Sequence, residues 1–91
     1  PNTFLKNIHS EPLRKYLLEN TTIDEIVLFN YSVFSAASVD TCIFIIENQK
    51  ATDKSKVVIK QVDKPFEPNE TGKIKQSSFK KNKRLDFNLA I

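Results

Sequence analysis

One aromatic and six cations are the residues whose types and spacing could act on another molecule. Phe34 lies in NYSVFSAAS, residues 30–38, with Val33 before it and Ser35, Ala36, Ala37 and Ser38 after it. Small neighbours leave room beside an aromatic face. Nine residues between two apolar runs also exceed the roughly two to five of a tight hairpin, and loops held by a rigid sheet commonly carry binding residues. Pattern alone allows a second arrangement, in which Phe34 folds back with Val33 as a plug over a small core, and this is the commoner fate of an aromatic. Tyr31 reads more simply as a strand-end aromatic. Farther along, Lys73, Lys75, Lys80, Lys81, Lys83 and Arg84 form a basic stretch that either contacts phosphates or is a solvated linker.

The remaining polar residues do not assemble into a centre. Asp40 and Thr41 precede an apolar run with no His or second carboxylate at a useful spacing, so they read as a polar strand start. His9 reads as an exposed or capping residue. Cys42 is the single cysteine, so it makes no internal disulfide, and with one distant His it builds no zinc site. It reads as a small buried apolar side chain in a metal-free, cytoplasmic protein. No run approaches the ~18 apolar residues of a membrane span, and the first residues lack the apolar core of a signal peptide. Neither secretion nor membrane insertion is expected.

The elements that would position these residues are legible in outline. Ser10, Glu11 and Pro12 stand before LRKYLLEN, which predicts a helix over residues 10–20 with a hydroxyl cap, an acid in the first turn and Pro near the first helical position. Leu13, Tyr16 and Leu17 fall on one face with Leu18 flanking it, so this face is expected to lie on a sheet. Asn20, Thr21 and Thr22 end the helix, because Asn and β-branched residues favour leaving it. Ile23 to Phe29 (IDEIVLF) and Val39 to Ile46 (VDTCIFII) both carry continuous apolar runs and predict strands buried on both faces. Downstream, Lys56 to Val62 predicts a strand, Pro65 to Asn69 a loop, and Lys73 to Phe79 another short strand.

Ninety-one residues allow one small domain at most. Seven Phe, two Tyr and many aliphatic residues supply an ordinary core, so the chain is not compositionally disordered. Charge divides unevenly: residues 1–50 carry four Lys or Arg against six Asp or Glu, and residues 51–91 carry ten against five. That shift and the polar stretch 49–56 predict a boundary near Gln49. Pro1 opens the sequence and Met is absent from it, so a piece of a longer chain is expected.

From PNTFL, through LRKYLLEN and IDEIVLF to VFSAASVDTCIFIIEN, the order and spacing of blocks resemble the stretch after the catalytic motif in adenine-N6 DNA methyltransferases. The similarity is to the gamma class, including the methylase parts of type II and fused type IIG restriction enzymes, and it covers residues 1 to about 48. It implies an α/β fold: the last part of a class I (Rossmann-like) S-adenosylmethionine methyltransferase sheet, seen alone as a small α+β unit with antiparallel strands. The two apolar runs would be the sixth and seventh strands, the seventh inserting between the fifth and sixth.

The same resemblance places Phe34 where an aromatic sandwiches the extruded target adenine. Chemistry on a base requires taking it out of the stack at a cost of a few kcal/mol, and base stacking returns roughly 1 to 3 kcal/mol. Asn2 lies in a stretch close to the cofactor and target pocket in related enzymes, and takes no assigned role. The glycine-rich cofactor turn is not in the sequence, whose single glycine is Gly72, and neither is an Asn-Pro-Pro-aromatic motif. The expectation is therefore a fragment of a site-specific methyltransferase of a type II restriction-modification system. Its parent would use S-adenosylmethionine and duplex DNA, while the fragment itself binds no donor and transfers no methyl group. Residues 1–48 would end the catalytic domain, and residues 49–91 would be a basic linker or the start of the DNA target-recognition region. Self-association through a strand edge left without its neighbour is also expected. The competing reading is a small nucleic-acid-binding or interaction module that uses the basic C-terminal half.

Overall fold

The computed structural model describes residues 5–29, 41–63 and 67–89. A short 3-10 turn, Ile8–Ser10, leads into helix α1, Glu11–Asn20, which is followed by strands β1 (Thr22–Phe29), β2 (Cys42–Glu47), β3 (Lys56–Asp63) and β4 (Glu67–Lys75). Two further 3-10 turns, Gln76–Lys81 and Lys83–Leu85, close the described chain. The sheet order is β2-β1-β3-β4. β1 pairs antiparallel with β2 and parallel with β3, and β3 pairs antiparallel with β4. The result is the expected small α+β unit with antiparallel strand pairs, to which the parallel pairing of β1 with β3 is added, so that the sheet is mixed. The parallel pair arises because residues 48–55 cross the start of β1, where the Thr22 hydroxyl donates to the Gln49 carbonyl at 3.0 Å.

α1 begins and ends close to where the sequence puts it, but its cap and its buried face differ. Pro12 sits in the first turn, whereas the Ser10 hydroxyl makes no capping bond. The capping role falls one turn earlier, where Asn7 Oδ1 accepts from the His9 amide at 2.8 Å. Thr21 closes the helix as expected: it is extended, and its hydroxyl donates to Leu17 O at 2.6 Å. The buried residues are Arg14 and Leu18, while Leu13 and Tyr16 are more than half exposed. The helix is thus rolled away from its most apolar stripe, because the Arg14 guanidinium finds partners under it.

One apolar layer lies between the sheet and the α1 side. Leu5, Leu18, Ile23, Ile26, Val57, Ile59, Phe79 and Phe87 are its buried members, with Leu28, Phe44 and Ile74 packed against them. Residues on both sides of Gln49 therefore fill the same core. Phe79 and Phe87 stack with centroids 4.8 Å apart. Ile23 and Ile26, three apart, could not share a face of a regular strand; the register shift between Ile23 and Glu25 lets both point inward.

β1 is a central strand, as its apolar run predicts. β2 is not buried on both faces: it has one neighbour among the described residues, and Ile43, Ile45 and Ile46 are each more than 40% exposed. Its apolar pattern is that of a strand with cover on both sides, but here only the α1 face is covered. Residues 67–69, expected as loop, belong to β4, where Pro68 pairs with Val62. β4 is an edge strand, and there a proline's missing N–H leaves no ladder bond unmade. Lys73 to Lys75 continue that strand, while Gln76 to Phe79 turn into 3-10 helix rather than strand.

Candidate nucleic-acid interface

The segment carrying Phe34 is bracketed by an antiparallel pair. β1 ends at Phe29 and β2 begins at Cys42, and the Phe29 amide donates to Thr41 O at 3.2 Å. Phe34, Tyr31 and Asp40 lie outside the described residues, as does Asn2. Cys42, half-buried at the start of β2, carries a thiol that burial pushes above its ordinary pKa. It is therefore a poor nucleophile at neutral pH.

The six cations of the basic stretch do not form one surface. Ile74 packs on the core, so by alternation its neighbours Lys73 and Lys75 point to the opposite face of the sheet, away from α1. Lys75 stands across from Lys56 there, and Lys60 on the same face is held by Glu25 at 2.7 Å. Lys80, Lys81, Lys83 and Arg84 instead lie exposed on the two 3-10 turns, which pack against α1. Lys15, a cation absent from the sequence-based set, joins them: Lys15 and Lys80 line one cleft with Leu18, Glu19 and Leu85. Only the packing of α1 on the turns brings residues so distant in sequence together.

Beneath that group sits Arg14, fully buried. Its Nη1 donates to Asn7 O at 2.6 Å, its Nε to Leu85 O at 3.2 Å and its Nη2 to Arg84 O at 2.9 Å. Nη2 also approaches Asp86 Oδ1 at 3.5 Å. Arg84 and Leu85 both have left-handed φ, 54° and 55°. Two successive non-glycine residues in that region are costly, about 1 to 2 kcal/mol each. The conformation turns both carbonyls toward the guanidinium, and five donors in a rigid fork offset that cost.

The cleft at Lys15 has a volume of about 170 Å³, below the roughly 300 to 1,000 Å³ of small-molecule sites. The one glycine, Gly72, sits within β4 and not in a turn that could approach a cofactor. Among the described residues no group of three His, Cys, Asp or Glu could hold a metal ion, and no helix is long and apolar enough to cross a membrane.

Comparison with known proteins finds no match among curated proteins and none among solved structures. The family model described as N-6 DNA methylase matches residues 1–87. That match runs from the segment before α1, through all four strands, to Phe87 in the core. The chain belongs to the N-6 DNA methylase family.

Proposed function

We propose that the chain is the part of a site-specific DNA adenine-N6 methyltransferase that receives the flipped target base, within a type II restriction-modification system. The observation that carries this reading is the match to N-6 DNA methylase over residues 1–87. In this reading β1 and β2 are the last two strands of a class I methyltransferase sheet, and their antiparallel pairing supports it. The connection from Phe29 to Thr41 presents Phe34 to the extruded adenine, whose stacking returns part of the energy of unpairing. The parent enzyme takes its methyl group from S-adenosylmethionine held by other residues, and the chain alone is inactive. Residues 49–91 begin the DNA-facing region that leads toward target recognition. The open edge of β2 is proposed to pair with another strand, which in the isolated chain is a second copy.

The test is Phe34→Ala in the parent enzyme, with a fluorescent adenine analogue at the target position. Loss of a stacking partner is expected to reduce the extrusion equilibrium about 5- to 150-fold, matching roughly 1 to 3 kcal/mol, with S-adenosylmethionine binding unchanged. An unaltered extrusion signal would remove Phe34 from this role.

A further inference from the structure

Two groups of exposed cations flank the sheet, and they differ in how they are held. On the outer face Lys73 and Lys75 extend from an edge strand, with Glu70 earlier on that strand and Glu25 taken up by Lys60. On the α1 side Lys80, Lys81, Lys83 and Arg84 extend from turns fixed at several points. Asn82 Nδ2 donates to Asp86 O at 2.7 Å, while the Leu85 and Asp86 amides donate to Asn82 O and Lys83 O at 3.1 Å each. The Phe87 amide then joins Leu5 O at 2.9 Å. Arg14 draws the Arg84 and Leu85 carbonyls inward, and the Arg84 side chain stays exposed.

Carboxylates are few around these turns. Glu19 lines the Lys15–Lys80 cleft, and Asp53 lines the adjoining one with Lys80. Asp86 faces the buried Arg14. Among the described residues no carboxylate lies within ion-pair distance of Lys15, Lys80, Lys81, Lys83 or Arg84. Five cations outnumber the carboxylates around them, Glu19, Asp53 and, one helical turn before Lys15, Glu11, while Asp86 is taken up by Arg14; on turns held by these backbone bonds that excess is the electrostatic footprint of a polyanion site.

We propose that the clamped turns, with Lys15, form a contact surface for the phosphate backbone of duplex DNA, and that Lys73 and Lys75 lie outside it. Arg14 is the positioning residue of this surface: it touches no phosphate, and it fixes the backbone from which Lys83 and Arg84 project. The proposal rests on the DNA-methylase reading for its choice of polyanion. It assigns the DNA-facing side of the molecule to the α1 face, not to the outer face of the sheet.

The experiment compares two double variants with equal loss of charge, Lys83→Gln/Arg84→Gln and Lys73→Gln/Lys75→Gln. Binding of the 91-residue chain to a duplex oligonucleotide is read by fluorescence anisotropy over a salt series. Each phosphate contact contributes about 0.9 to the slope of log affinity against log salt. The turn pair is expected to lower that slope by about 1.8 and to weaken binding at low salt about tenfold or more. The β4 pair is expected to leave the slope unchanged. Circular dichroism checks that both variants, altered only at exposed positions, remain folded. Equal losses in the two variants would mean that net charge alone matters and would overturn the proposal, as would a larger loss in the β4 pair or no salt-dependent binding by the wild type. Because phosphate contacts carry no base information, a failure of adenine extrusion at Phe34 would leave this slope difference in place, so the two readings fail separately.

Discussion

Arg14 joins the start of α1 to a turn some 70 residues away, and its removal tests how much of the fold rests on one side chain. Arg14→Met keeps the length and most of the packing volume but leaves the carbonyls of Asn7, Arg84 and Leu85 without that donor. Breaking a buried charged network from one side costs about 3 to 5 kcal/mol, a large part of the 5 to 15 kcal/mol of a typical small domain. The unfolding free energy from a urea titration is expected to fall by that amount, seen as a lower midpoint with the slope of unfolding unchanged. Asp86→Asn, which alters a single contact at 3.5 Å, is expected to cost far less. If the two variants lose equally, the ion pair and not the set of carbonyls holds the turn. None of this was legible from the sequence, where Leu13, Tyr16 and Leu17 advertise an apolar stripe and arginine is among the residues least often buried. What reorders the helix is a partner set in the last turn, and local spacing carries no information about it. Phe34 stands the other way round: resemblance assigns it a role that its surroundings in the sequence leave open between stacking platform and core plug.

At the scale of elements, Gln76 shows why a predicted strand became a 3-10 turn. Its side-chain amide, 1% exposed, accepts from the Ile23 amide at 2.8 Å and donates to the Thr21 carbonyl at 2.8 Å. It thereby supplies β1 with the pair of bonds that a neighbouring strand's peptide would make. The chain must leave β4 at Lys75 to bring that amide under the start of β1, and Phe79 then drops into the core beside Phe87. Gln76→Leu is expected to leave both backbone groups unpaired, at about 1 to 3 kcal/mol for each orphan. Amide exchange should accelerate at Ile23 well before it does at Ile26, which keeps its ladder partners. Unchanged protection of Ile23 would mean the side-chain bridge contributes nothing. α1, β1 and β3 were readable because a 3.6-residue rhythm or an apolar run is a local signal. The bulge at Asp24, the proline in β4 and the parallel pairing of β1 with β3 were not, since each depends on which strand lies alongside.

At the scale of the whole molecule, the sheet has two edges among the described residues, and they are protected very differently. β4 carries Pro68, Lys73, Lys75 and a register shift near Thr71, all devices that discourage further strand pairing. β2 carries none of them: CIFIIE presents Ile43 and Ile45, 46% and 48% exposed, with no Lys or Pro along it. Among the described residues its outward edge has no partner strand. The isolated chain is expected to self-associate at micromolar to millimolar concentration through β2 and not through β4. Sedimentation velocity across a dilution series should show the average mass falling as the chain is diluted. Ile45→Lys, which places on β2 the charge that natural edges use, should yield monomer throughout, while Thr71→Val on β4 should not change the profile. A wild type that remains monomeric at the highest concentration would argue that the β2 edge is already satisfied within one copy. The apolar run of β2 has the pattern of a strand covered on both faces, but among the described residues only its α1 face is covered, so local spacing overstates its burial.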